Sequence, residues 1–355
     1  MSNIAVVDVF CGAAGLSYGL KQSGLKIAAG IDLDPACRYP FETNIGAHFL
    51  EQDVRSVSAA TLNSFFGETQ VKVLAGCAPC QPFSGYTTKR RAIDGRWELL
   101  LEFLRLVKEA QPHIVTLENV PRLAHLPLWT NFVLGLQEAG FHVSWKVLDL
   151  SKFGVPQNRR RLVLLASRLG RIDLPIANKG APASVRRVIG KLPAIEAGEK
   201  HSNDSLHATR ALTPRNLARI KQSKPAGTWR QWPKSMRAAC HNSLRGKTYP
   251  SVYGRMSWDK PAPTITTQFY GFGNGRFGHP EQHRAISLRE GALLQSFPRK
   301  FEFVPKGKKI SFKEIGRLIG NAVPPALGFK IGEAIVRHVE FISAGSVAQS
   351  EKFRC

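Results

Sequence analysis

At 355 residues, 43% of them hydrophobic, the chain is long enough to bury the cores of one large and one smaller domain, which excludes a disordered tail. A formal charge of +24 favours polyanions as partners, nucleic acid before acidic membrane because no basic amphipathic helix stands out. No apolar run approaches the length of a membrane span and no cleavable leader precedes the first strand, so a cytoplasmic protein is expected.

In chain order, short β-rich apolar runs alternate with longer amphipathic ones. "IAVVDVF" is followed by "GLSYGLKQSG", "KIAAGIDL" by "PACRYPFETN", "VKVLAG" by a loop and "WELLLEFLRLVKEA", and "HIVTLENV" by "LWTNFVLGLQEAG". "FHVSWKVLDL" and "RRLVLLAS" close the series. Apolar runs of strand length separated by helices imply crossover units, hence an α/β, doubly wound domain with a parallel sheet covered on both faces. Ligands then belong at the carboxyl ends of the strands.

Around Arg168 the rhythm breaks. From Arg171 to Arg276 there are 19 Lys and Arg against 5 Asp and Glu, mixed with Pro, Gly and scattered Trp and Tyr. This reads as a second, smaller domain of short strands and long loops, because the aromatic residues need burial. Helical signals return at "SLREGALLQSF" and "SFKEIGRLIG", where Ser287 with Glu290 and Ser311 with Glu314 fit capping boxes. A last helix is expected at about 326–342 and a frayed tail over 343–355. The expected division is 1–168 with 311–342, then 169–310.

Six cysteines without an export signal make no disulfide framework, and no second C-x-x-C or H-x3-5-H completes a zinc site, so no metal is expected. Small residues Gly12, Ala13, Ala14 and Gly15 after the first strand allow close approach of a ligand to a helix N-terminus. Asp32, ending the second strand, can hold both ribose hydroxyls of a nucleoside, and Asp53, ending a third, can accept from an adenine amino group. With no G-x-G-x-x-G or P-loop, these point to an adenosine cofactor.

Cys80 enters a loop between Pro79 and Gln81 at the ligand-bearing end of the sheet, which reads as a nucleophile, with Cys77 as packing. Glu118 ends the strand "HIVTLENV" and either faces the same cavity or is a solvated loop acid. Arg159 and Arg161 alternate in "QNRRRL", hence lie on one face. They can contact a base carbonyl or a phosphate, or pair with neighbouring acids.

Phe10 with "GAAG", "APCQPFS", "ENV", "QNRRRL" and "GNAVPP", in this order over roughly residues 5–340, resemble the DNA (cytosine-5)-methyltransferases of prokaryotic restriction-modification systems. The resemblance implies a Rossmann-like S-adenosylmethionine-dependent catalytic domain, a target recognition domain and S-adenosyl-L-homocysteine as product. Phe10, Gly12 and Gly15 would then line the cofactor, Asp32 hold its ribose, and Leu33 lie against the adenine, with Asp53 and the Val54 backbone at its edge. Leu99, Asn321 and Val323 would complete the pocket. Cys80 would add to cytosine C6, Glu118 bind N3 and the amino group, Arg161 hold O2, and Arg159 support the loop or a phosphate. The base would be flipped from double-stranded DNA under a lid from Pro82 to about Arg96.

A monomer suffices for this chemistry, the protein would associate with the nucleoid through DNA, and a cognate restriction endonuclease acting on the same site is an implied partner. "APTITT" around Thr264 resembles an element of the recognition domain, while the family usually carries Arg where Leu293 stands. Two other readings are a transfer RNA cytosine-5 methyltransferase and a catalytically silent DNA-binding relative.

Overall fold

The structure, a computed structural model, describes residues 3–79, 98–243, 246, 248 and 251–352. Cys80 and the expected lid lie outside the described residues. The chain divides into two compact units, one of residues 1–153, 160–178 and 323–355, the other of residues 154–159 and 179–322.

The first unit is built on seven strands: β1 (Ile4–Val9), β2 (Lys26–Asp32), β3 (His48–Glu51), β4 (Val71–Gly76), β5 (Ile114–Asn119), β6 (His142–Asp149) and β7 (Arg160–Ser167). Their spatial order is β3-β2-β1-β4-β5-β7-β6. β1 to β5 pair in parallel. β1 and β5 are buried at every position, as expected of strands covered on both faces. Helices α1 (Gly15–Gln22), α2 (Arg38–Ile45), α3 (Ala59–Phe66), α4 (Glu98–Ala110) and α5 (Pro127–Glu138) make the connections. The strand order reverses between β1 and β4, which opens a crevice at their carboxyl ends.

The parallel sheet expected from the sequence carries one reversal at its edge, where β7 runs antiparallel to both β5 and β6. The connection after β6 holds a short 3-10 turn at Leu150–Phe153 and the two-residue strand Gln157–Asn158, and no crossover helix fits there. The reversal has a functional consequence. The first residues of β7, not its last, lie beside the carboxyl end of β5.

The last helix, Pro325–Lys352, packs along α1. Gly328 makes this approach possible, since a Cβ there would come within 2.7 Å of the Leu16 carbonyl oxygen and 3.2 Å of Gly19 Cα. The helix runs through Lys352.

The second unit combines two-residue and five-residue strands, Lys200–His201 and Asp204–Ala208, with helices Val185–Ile189, Pro214–Gln222, Ala239–Asn242, Leu288–Leu294 and Phe312–Asn321. Its aromatic residues are buried together: Trp229, Trp232 and Phe272 pack with Ile220 and Ala285. Ser287 and Glu290 form the expected capping box. Burial works to raise Glu290, but Arg284 grips both of its oxygens at 2.7 and 2.8 Å, and the balance brings it down to about 2.

The division differs from the expected boundaries on both sides. Residues 169–178 stay with the sheet, because Ser144 Oγ donates to the Ile172 carbonyl at 2.7 Å and the Asn178 N–H to that of Lys152 at 2.8 Å. Residues 311–322 belong to the second unit, where Gly320 lies against the Thr266 backbone. Among the described residues no helix is long and apolar enough to cross a membrane.

Candidate active site

β1, β2 and β3 deliver one half of the site. Phe10, Gly12 and Ala14 take positive φ of 61°, 52° and 64°, so the chain turns sharply from β1 into α1. Two of these residues carry side chains in a region that disfavours them, a strain of the kind held at ligand sites. A Cβ at Gly12 would meet nothing within 4 Å, so open space lies beside this turn.

Asp32 stabilises the turn from the side. Its Oδ2 accepts from the Gly12 N–H and its Oδ1 from that of Asp34, both at 2.9 Å. Burial lifts its pKa above the ordinary value, against the pull of these two N–H groups. Leu33 follows it with 62% of its surface exposed, unusual for a Leu beside a half-buried carboxylate. A hydrogen-bonded carboxylate with lone pairs to spare, an exposed apolar side chain and an open glycine turn fit an adenosine.

The other expected pocket residues divide. Val54 is buried and Leu99 packs against the sheet's core. Asp53 caps the turn after β3 and binds Arg55 through both carboxylate oxygens, which draws its pKa down and leaves less acceptor capacity for an adenine amino group. Val323 is buried in the first unit, whereas Asn321 belongs to the second and is exposed.

β4, β5 and β7 deliver the other half. Glu118, near the end of β5, is 3% exposed, which removes the alternative of a solvated loop acid. Because β7 is antiparallel, Arg161 at its start reaches this carboxylate, with Nε 2.9 Å from Oε1. The N–H is not aimed along that line, so Oε1 is paired in charge while keeping its hydrogen-bonding capacity.

Cys77 has a polar partner as well. It was expected to be packing, yet its Sγ donates to Glu118 Oε2 at 3.1 Å. β4 and β5 are neighbours, so the residue following β4 lands beside the end of β5. Asn119 adds a second tie, its Nδ2 donating to the Ala78 carbonyl at 3.0 Å.

Arg159 and Arg161 fall in different units. Arg159 belongs to the second unit, buried, with Nη1 donating to the Ile265 carbonyl at 3.1 Å. Its neighbours hold it there: Gln157–Asn158 pairs with Ala262–Pro263, and Thr264 Oγ1 donates to the Asn158 carbonyl at 2.6 Å. Leu293 in the same unit is half-buried.

Sequence reasoning passed over Asp8. This carboxyl is 1% exposed within β1, accepts from Ser17 Oγ through Oδ2, and has no partner on Oδ1. Burial, with Asp32 nearby, pushes it up to about 7 despite Ser17. An acid inside the otherwise apolar run "IAVVDVF" was the available signal.

Not all of the basic surplus faces outward. Arg219 and Arg255 of the second unit are buried and donate to backbone carbonyls. Arg210, Arg215, Lys221, Lys224 and Lys234 remain exposed.

The family model of the C-5 cytosine-specific DNA methylases matches residues 4–337. The chain is 48% identical over 341 residues to the Type II methylase M.HgiDII of Herpetosiphon aurantiacus, covering 95% of this chain and 96% of that protein. It is 32% identical over 342 residues to the Type II methyltransferase M1.HphI of Haemophilus parahaemolyticus, covering 94% and 87%. In fold it is similar to the Entamoeba histolytica methyltransferase EhMeth, with a TM-score of 0.67, 13% identity, and coverage of 96% and 99%. The buried Glu118–Arg161 pair and the turn held by Asp32 thus lie in a chain that belongs to the C-5 cytosine-specific DNA methylases, S-adenosylmethionine-dependent enzymes, of the Type II restriction-modification kind.

Proposed function

We propose that the chain methylates C5 of a cytosine in one short sequence of duplex DNA, with the base flipped out of the helix and Cys80 as covalent nucleophile. The observation that carries this reading is the buried Glu118, fixed by Arg161 and tied to the segment leading to Cys80. A carboxyl held out of water with one oxygen still able to bond is suited to the N3 and amino edge of cytosine.

Asp32 would hold the ribose hydroxyls of S-adenosylmethionine and Leu33 lie against its adenine, with Phe10, Gly12 and Gly15 along the rest. When bound, the cofactor supplies an electrophilic methyl group. Cytosine C5 is a poor nucleophile, so the Cys80 thiolate adds to C6 and the ring becomes an enamine. Glu118 stabilises charge developing at N3, and Arg161 supports the base through O2. C5 of the enamine takes the methyl group, S-adenosyl-L-homocysteine is left as product, and loss of the C5 proton with expulsion of Cys80 then restores the ring. A stacked base cannot present C6 to a thiolate, which is why flipping is required.

The second unit would supply recognition through its exposed basic residues, with Arg159 and Thr264 holding its inner loops. A restriction endonuclease cutting the same sequence is the matching partner.

The test is chemical-conversion sequencing of DNA and transfer RNA from a methylation-free host expressing the protein, beside a Cys80→Ser control. Protected cytosines in one DNA sequence, absent in the control, are expected. Protection of a transfer RNA position alone would assign the activity to RNA, and protection surviving Cys80→Ser would remove the covalent step.

A further inference from the structure

Cys77 stands three residues before the proposed nucleophile, and its backbone is held from both sides. Its N–H donates to the Val9 carbonyl at 3.4 Å, at the end of β1, and the next carbonyl, that of Ala78, accepts from Asn119 Nδ2 at 3.0 Å. The thiol is therefore fixed relative to β5, and it donates to Glu118 Oε2 at 3.1 Å. Around this carboxylate stand Cys77, which follows β4, and Arg161 from β7. Arg161 fixes one oxygen by charge and Cys77 the other by a hydrogen bond. With Oε2 occupied, Oε1 is the oxygen left to meet a base.

We propose that Cys77 is a positioning residue for methyl transfer. Its thiol sets the rotation of the Glu118 carboxyl and joins the acid to the segment that carries Cys80. The inference rests on the reading of Glu118 as the group that contacts the cytosine. A thiol is a weak donor, so its loss leaves the carboxyl in the site but free to rotate, and the consequence is a slower chemical step rather than weaker binding.

The experiment is single-turnover transfer of labelled methyl from S-adenosylmethionine to genomic DNA of methylation-deficient bacteria. Cys77→Ala is expected to slow transfer by about tenfold with unchanged KM for cofactor and DNA, and Cys77→Ser, which restores a donor, to stay within about threefold of the parent. In a Glu118→Gln background, Cys77→Ala should cost nothing further. Cys77→Ala at the parent rate while Glu118→Gln is slow would overturn the inference alone. Equal losses in Cys77→Ala and Cys77→Ser, with lowered thermal midpoints, would return the residue to a packing role, as would a loss unchanged in the Glu118→Gln background. Glu118→Gln at the parent rate would overturn the reading of Glu118 and this inference with it.

Discussion

Arg161 Nε lies 2.9 Å from Glu118 Oε1, with both side chains largely withdrawn from water, at 14% and 4% exposure. A buried pair of this kind is costly to break from one side, because the remaining charge has no solvent to replace its partner. Arg161→Met is therefore expected to destabilise the first unit by about 3 kcal/mol and to reduce transfer at least a hundredfold. The double variant Arg161→Met/Glu118→Gln should recover most of the stability and none of the activity. Urea denaturation beside single-turnover rates separates the two effects, and recovery of activity in the double variant would contradict a direct role for Glu118.

Asp32 makes the corresponding case for the cofactor. It keeps the turn after β1 in place through the Gly12 N–H and also offers acceptors to a ribose, so the substitutions Asn and Ala should differ. Asp32→Asn keeps one acceptor for the turn and is expected to weaken S-adenosylmethionine binding by about tenfold, Asp32→Ala by a hundredfold or more, on the scale of one and two lost hydrogen bonds to a charged group. Calorimetric titration with S-adenosyl-L-homocysteine reads this directly. DNA affinity measured without cofactor should stay unchanged.

The sheet was legible because doubly covered strands read as continuous apolar runs, and the ends of β1, β2 and β5 mark Phe10, Asp32 and Glu118 without further help. Direction was not legible. Period-two alternation is the same for a strand running either way, and only the short connection after Phe153 hinted that β7 turns back. Alternation also read Arg159 and Arg161 as leading together into one strand. The chain instead leaves the second unit after Arg159 and enters β7 at Arg160. The Cys77–Glu118 bond was hidden for a related reason. It joins neighbouring strands whose register is set by packing across the whole sheet, and that register is not a local property of either segment.

Gly328 tests how the last helix is held on α1. Its hydrogen atom faces the Leu16 carbonyl where any Cβ would come within 2.7 Å, and neither helix backbone can yield locally. Gly328→Ala is expected to push the helices apart and cost about 2 kcal/mol, although Ala is the better helix former in isolation. An unchanged or raised thermal midpoint would show that the helix seats differently.

Asp8 gives the stability of the first unit a pH dependence of unusual sign. Its carboxyl titrates near 7 in the fold, against 3.8 for an unperturbed Asp, because burial outweighs the hydrogen bond from Ser17. Between these values the folded chain holds a proton that the unfolded chain has released. Stability is then lost as pH rises from about 4 to 7, and the whole cost, roughly 4 kcal/mol, is present above 7. Asp8→Asn removes the titration while keeping an acceptor for Ser17. The variant should be several kcal/mol more stable than the parent at pH 8, less the penalty of about 1 kcal/mol or more for burying an amide N–H without a partner. At pH 4 that penalty alone remains, and the parent should be the more stable of the two. Urea midpoints of both proteins across this range are expected to cross once, and parallel curves would mean that Asp8 is ionised throughout.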